Sequence, residues 1–465
     1  ETEESILVAA ASMAVRRRAG RTTTLDEASL PLPAEPDLQP QLTGPPARYV
    51  GVALEERPAL TSEVLQLVRR TGRRLPDQWL PELMSLAARA EDSEAFRDLG
   101  GTRAAWLAGI FPSLAGTTWW GIADDWDTAW AAATSGPARA GIIRGFREVD
   151  PAGARRSLVD WWSEIPSEDR ARVLAAVETN LGEADEPLLA QALEDRRADV
   201  RRTAARLLVL LPEAPLTRRL EEIARPLLET AGLIRKTLKV TLPTPSDEFE
   251  AIGIGGRPGA GYGQRAWLLR SVLAQVRPGR WNEWLRVDAA GLVDQAARSE
   301  ESRPLLEGWV EATGRFGDPA WAVATLRNKL VPTKVSADLE QVLDGLSRDD
   351  RAHAITAAAA DVDPSLLAAL AATVGAPWPE PLGDAVLVAA GVAGQEQFPR
   401  AGLYELVRVA ALHLPPDRAE ELESVASYQD ELRPALSDAV ETIRLRARIH
   451  EAFAAVPPLP PRPPT

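Results

Sequence analysis

The segment GIGGRPGAGYGQRAW, residues 253–267, sets six glycines in eleven positions ahead of a helix-forming run. Backbone amides at such a junction can cradle a phosphate. A nucleoside-triphosphate loop also needs Gly-Lys-Ser/Thr at the helix start, so that the lysine meets the phosphates and the hydroxyl meets magnesium. Here the loop leaves through Gly263-Gln264-Arg265-Ala266, which has neither. A dinucleotide loop needs G-x-G-x-x-G after a buried strand. Counted from Gly253 the sixth position is Pro258, and the count from Gly256 or Gly259 also fails. Val240, Thr241 and Leu242 carry strand character, but no strand–helix–strand unit surrounds them. The segment therefore reads as a connector or docking loop. Its candidate partner-binding residues are Arg257, Tyr262 and Arg265.

A second constellation is the arginine run Arg196, Arg197, Arg201, Arg202 and Arg206, with Arg218 and Arg219 beyond. Arginines along one helical edge can grip phosphate or an acidic protein surface. Glu194, Asp195 and Asp199 offer the plainer reading of a solvated face whose charges cancel. The chain carries a formal net charge of −14, and phosphate contacts supply most of a nucleic-acid binder's affinity. Nucleic acid is therefore not the expected partner. Arg196, Arg197, Arg201 and Arg202 stand as candidate contacts for a protein.

WWGIADDWDTAW sets Asp124, Asp125 and Asp127 among tryptophans, where paired acids or a cation site would be conceivable. Asp124 or Asp125 also suits the N-cap of a helix carrying Trp126 and Trp130 one turn apart, and the spacing favours the cap. The fourteen tryptophans read mainly as fillers between helices whose N–H groups find carbonyls. The absence of cysteine excludes disulfides, thiolate metal sites and a cysteine nucleophile. His353, His413 and His450 lie far apart, with no metal-ligand spacing. No catalytic residue, metal or cofactor is expected.

The elements that must position these groups are helical. The apolar content is rich in Ala and Leu and poor in β-branched runs. DEPLLAQALEDRRADVRRTAARLLVLLP, residues 185–212, is the clearest unit. Leu188, Leu189, Ala192 and Leu193 make one apolar stripe; Val200, Ala204, Leu207, Leu208 and Leu211 make another after a turn at 195–199. Two helices with one apolar face each need neighbours on both sides, which is the logic of a solenoid. A looser copy begins at Asp150-Pro151, and further pairs follow from 303 and 347. The expected fold is all-α, an irregular α-solenoid of antiparallel helix pairs.

Five segments are expected. Residues 1–57 hold a helix over 5–20 and a Pro-rich linker; residues 58–245 hold helical repeats. The glycine loop spans 246–264, further repeats 265–455, and a Pro-rich tail 456–465. That tail matches a polyproline pattern at Pro457, Pro460 and Arg462, against the plainer reading of a disordered end. No run approaches the about 18 apolar residues of a membrane span, and the early charges are misplaced for a secretory signal. A cytoplasmic location is expected. The chain opens without Met, so a start inside a longer product is also expected.

DEPLLAQALEDRRADVRRTAARLLVLL resembles a HEAT repeat, with Asp195, Val200-Arg201 and Ala204 at that family's Asp, Val-Arg and small-residue positions. More widely, the chain resembles a bacterial family with a domain of unknown function. The likeness runs through ILVAAASMAVRRRAGR, TRAAWLAG, the HEAT-like pair, GIGGRPGAGYGQRAWLLRSVLAQV and ETIRLRARIHEAF. Members are encoded near SWIM zinc-finger proteins, MoxR-type AAA ATPases and von Willebrand A-domain proteins. The resemblance implies a non-catalytic scaffold or adaptor whose partners are that ATPase and the A-domain protein. The alternative is a HEAT-type nucleic-acid enzyme such as a DNA glycosylase, which needs a continuous basic groove. A third reading, a small-molecule carrier or lyase, needs a deep Trp-lined pocket.

Overall fold

Asp-Pro is a recurring start signal. The side chains of Asp150, Asp318 and Asp363 accept backbone N–H bonds ahead of Pro151, Pro319 and Pro364. The carboxylate satisfies orphan donors, while proline supplies a helical φ where its missing N–H is harmless. Ser135, Asp288 and Ser347 cap three further helices in the same way.

In the computed structural model the described residues are 32–37, 39–87, 94–111, 126–232, 237–247, 249, 252, 254, 258–335, 339–395, 400–426, 433–457 and 459. The helix over 5–20, Trp119, Trp120, Asp124, Asp125, Arg257, Pro460 and Arg462 lie outside them.

The first block holds α1 (Pro45–Gly51), α2 (Thr61–Arg70), α3 (Leu80–Ala87) and α4 (Glu94–Ile110). Next come α5 (Trp126–Ala132), α6 (Gly136–Val149), α7 (Pro151–Trp161) and α8 (Arg170–Ala175). The pair expected from residues 185–212 is α9 (Glu186–Ala192) and α10 (Ala198–Leu208), followed by α11 (Pro215–Ala224). β1 (Leu228–Ala231) and β2 (Thr237–Val240) form an antiparallel hairpin, with Leu228 opposite Val240. After the glycine-rich segment run α12 (Gln264–Leu273), α13 (Pro278–Leu285), α14 (Ala289–Ala297), α15 (Ser302–Phe316), α16 (Pro319–Arg327) and the single turn α17 (Val331–Lys334). The last six are α18 (Arg348–Ala358), α19 (Pro364–Ala372), α20 (Glu380–Gln395), α21 (Arg400–His413), α22 (Ala419–Ala426) and α23 (Arg433–Ala454). The protein is thus mostly helical. Among the described residues no helix is long and apolar enough to cross a membrane.

Helices pack on their second neighbours as well as their first. One row runs α6, α8, α10; another runs α14, α16, α18, α20, α22; a third runs α19, α21, α23. The stripes at Leu188, Leu189 and Ala192, and at Val200, Ala204, Leu207, Leu208 and Leu211, are buried in this stack. Leu193 is half-buried at its edge. A tryptophan cluster fills the middle: Trp281, Trp309 and Trp321 are all buried, with Trp309 and Trp321 edge to face at 4.9 Å. Trp321 donates to Asn282 at 2.8 Å, but the indole N–H groups of Trp281 and Trp309 have no partner among the described residues. There the gain from packing large rings outweighs the unmade bonds.

Two apolar cores result. The larger runs from Ala129 to Ile443; the smaller joins Leu42–Ala104 to Ile449 and Phe453 of α23. The first block is therefore seated on the last helix. At that seam Glu63 of α2 accepts from Arg446 at 2.6 and 2.7 Å, and both are buried. Residues of the Pro-rich linker wrap α4: the Leu32 carbonyl accepts from the Trp106 indole at 2.6 Å, and Asp37 from Thr102 at 2.6 Å.

Candidate functional site

Helix α15 carries Arg303, Glu307, Glu311 and Arg315 at four-residue spacing, which sets all four on one face. The neighbouring α12 brings Arg270 to the same face. Arg303 Nε donates to Glu307 at 3.0 Å, while Arg270 lies 3.5 Å from Glu307 and 2.9 Å from Glu311. Arg315 pairs with Glu311 at 2.6 Å and donates to the Ala274 carbonyl and to Gln275. Guanidinium and carboxylate alternate along the face, and each carboxylate meets two cations.

The end of the glycine-rich loop lies on this ladder. The Tyr262 hydroxyl donates to Glu307, its ring stands edge-on to Trp267 at 5.5 Å, and the Arg303 guanidinium lies 4.4 Å over it. Glu307 is only 5% exposed, so the phenol closes the outer side of a buried carboxylate. Burial first, then the hydrogen bond and charge of Glu307, push the Tyr262 phenol well above its ordinary range. It stays a neutral donor. Farther along, burial holds the Arg315 guanidinium below its ordinary value, with Arg206 and Arg270 adding repulsion against the pull of Glu311. Arg206 is itself paired with Glu178 at 2.8 Å.

Chemically this is a clamp: it fixes the loop's last turn and locks α12 against α15. Of the loop residues singled out from the sequence, Tyr262 belongs to it. Arg265 lies apart and donates to the Leu242 and Pro243 carbonyls at 2.6 and 3.2 Å, tying the start of α12 to the exit of β2. Arg257 is outside the described residues.

The arginine edge separates into two kinds. Arg197 forms a two-point pair with Asp199, and Arg201 donates to the carbonyls of Asp195 and Arg196 at 2.9 and 3.0 Å. Arg196 and Arg202 are exposed, and no ion pair or hydrogen bond joins their side chains to other described residues. Arg218 and Arg219 pair with Glu213 and Glu222.

Sequence reasoning missed Arg270, Arg303, Glu307, Glu311 and Arg315. The signal was present as R-x-x-x-E-x-x-x-E-x-x-x-R across one helix. Among the described residues no three His, Asp or Glu side chains stand together as a metal group would require. His413 stacks on Trp378 at 5.3 Å, and burial pushes its pKa down; His450 contacts Glu63 at 2.8 Å.

The family model described as "Family of unknown function (DUF5691)" matches residues 1–453. The chain belongs to this family. No curated protein and no solved structure matches it. The match spans both cores, the arginine edge and the clamp, so all of these lie within the family's own domain.

Proposed function

We propose that this DUF5691 protein is a non-catalytic helical-repeat scaffold, an irregular HEAT-like α-solenoid that docks a protein partner in the cytoplasm. Packing of helices on second neighbours supports the solenoid reading, since that is how a stack of amphipathic helix pairs buries every apolar stripe. One observation carries the functional reading: Arg196 and Arg202 stand exposed beside the turn between α9 and α10 with no ion pair or hydrogen bond to other described residues, on a chain of net charge −14. A small uncompensated basic ridge on an acidic body suits a protein partner presenting carboxylates, with salt-sensitive association. The family's resemblance points to a MoxR-type AAA ATPase and a von Willebrand A-domain protein as that partner.

The pairing of Arg197 with Asp199 and of Arg206 with Glu178 tells against the glycosylase alternative, because those guanidiniums already carry their anions. The test is capture with the tagged chain at low salt, with and without nuclease, beside an Arg196→Glu/Arg202→Glu variant. Enrichment of the ATPase or the A-domain protein by the wild type, lost in the variant and at high salt, supports the scaffold. Co-purification of nucleic acid alone overturns it.

A further inference from the structure

The run RRTGRR at 69–74 ends α2 and turns into an extended segment. Its four arginines have different fates. Arg74 is buried and neutralised, with Asp37 at 2.8 Å and Asp77 on its other side. Arg69 and Arg70 are exposed with no ion pair or side-chain hydrogen bond to other described residues. Arg73 is half-buried; its one side-chain hydrogen bond to described groups goes to the Pro457 carbonyl at 3.2 Å, and its Nε is buried with no partner among them.

The turn places all three residues around one cavity. Gly72 takes φ +67°, which favours glycine, and Thr71 receives the Arg73 N–H on its hydroxyl at 3.2 Å. The chain thereby doubles back, and Arg69, Arg70 and Arg73 line one cavity of about 410 Å3 with Gln39, Gln66 and Asp98. A C-terminal helix end would normally hold such cations on its free carbonyls. Here those carbonyls are served by the turn: Val68 accepts from Thr71 N and Oγ1, and Arg69 from Gly72 N. The guanidiniums are left to face the cavity.

We infer that this cavity binds a small phosphate ester. Arginine is the side chain whose planar fork matches a phosphoryl group, and three of them line this cavity, Arg73 half-buried and Arg69 and Arg70 exposed. Gln39 and Gln66 add neutral donors, and the Asp98 carboxylate accepts from a hydroxyl or amine on the ester. The volume suits a ligand of nucleotide size or smaller. On a chain of net charge −14, three cations without carboxylate partners around one cavity form a local reversal of sign. This site is separate from the arginine edge of the scaffold reading and stands or falls without it.

The test is calorimetric titration of the full chain with inorganic pyrophosphate and with adenosine monophosphate at constant ionic strength, beside Arg69→Gln/Arg70→Gln. Both arginines are exposed, so the variant keeps its fold, which a thermal melt checks. Saturable binding by the wild type, weakened at least about tenfold in the variant, is expected from the loss of two charge-assisted contacts. No saturable binding to either probe, or equal binding by the variant, overturns the assignment. Binding of a short single-stranded oligonucleotide but of neither small probe overturns it too.

Discussion

Arg446→Met should open the seam between the two ends of the described chain. The wild-type guanidinium is wholly buried and makes four hydrogen bonds: two to Glu63, and one each to the carbonyls of Ala411 and Leu414 at 3.0 and 2.6 Å. Methionine fills much of the volume and supplies no donor, so Glu63 is left buried with the His450 ring as its remaining side-chain contact at 2.8 Å. Removing one member of a buried pair costs about 3–5 kcal/mol, because the other charge stays desolvated. At about 1.4 kcal/mol per tenfold, opening of the seam becomes roughly 10²–10⁴ times more frequent. Hydrogen exchange read by mass spectrometry gives the answer by region: α2 and α23 should lose protection together, while α14–α16 keep theirs.

The pH dependence adds a sign. Arg446 and His450 hold the Glu63 carboxyl below its ordinary value despite the opposing effect of burial. A depressed carboxylate contributes stability that is present above its unfolded-state pKa and lost as pH falls through the folded-state one. The wild-type seam should therefore loosen in acid, after correction for intrinsic exchange rates. In Arg446→Met burial dominates, and acid should tighten the seam by neutralising Glu63. Glu63→Leu/Arg446→Met removes both charges and should recover most of the protection. Equal exchange in the single and double variants, or the same pH sign in wild type and Arg446→Met, would refute the reasoning.

Trp309→Ala removes the central ring of the buried cluster and should cost about 3–5 kcal/mol in a denaturant melt, since the site is walled by other rings. Gly314→Ala should cost about 1–3 kcal/mol in the same assay, because its Cβ would clash with the Gln341 carbonyl oxygen, a backbone atom with no rotamer to change. Tyr262→Phe should speed proteolysis within the glycine-rich loop and cost about 1–3 kcal/mol locally, as it takes a donor from the buried Glu307. In the wild type one of the four tyrosines should resist alkaline titration near its usual pH, read as ultraviolet absorbance. A group with a raised pKa contributes its stability below the ordinary value and loses it only as pH climbs past the folded one. Arg202→Glu should leave the melt within about 0.5 kcal/mol of wild type, since the side chain is exposed and makes no ion pair or hydrogen bond with other described residues.

The helix pair α9 and α10 was legible because its information is local. Leu188, Leu189 and Ala192, then Val200, Ala204, Leu207 and Leu208, repeat with the helix period, and each stripe is buried where that period requires. The start at Asp150-Pro151 was equally legible, since cap and proline sit side by side, and Asp318 and Asp363 carry the same local signal. The seam was not. Glu63 and Arg446 are 383 residues apart, and no local pattern tells a helix that its glutamate faces inward rather than outward. Nor did the arginine edge show its pairing: Arg197 and Asp199 lie two apart, which on a continuous helix would not face each other. They meet because Arg197 is the extended N-cap residue, bent back over the first turn.

The same contrast explains where charge is spent in this chain. A stack of helices faced mainly with Leu and Ala has many near-equivalent ways to slide, because one methyl-lined groove resembles the next. The buried arginines break that degeneracy. Arg147 is 1% exposed and grips Asp185 from two nitrogens while donating to the carbonyls of Thr179 and Asn180. Arg446 does the same for the ends of the described chain. Each binds one carboxylate and the carbonyls at one helix end, a combination that exists in a single register. Such pairs add little net stability over apolar packing, yet a mispaired register leaves a desolvated charge costing several kcal/mol. The apolar stripes make the helices stack; the arginines determine which helix meets which.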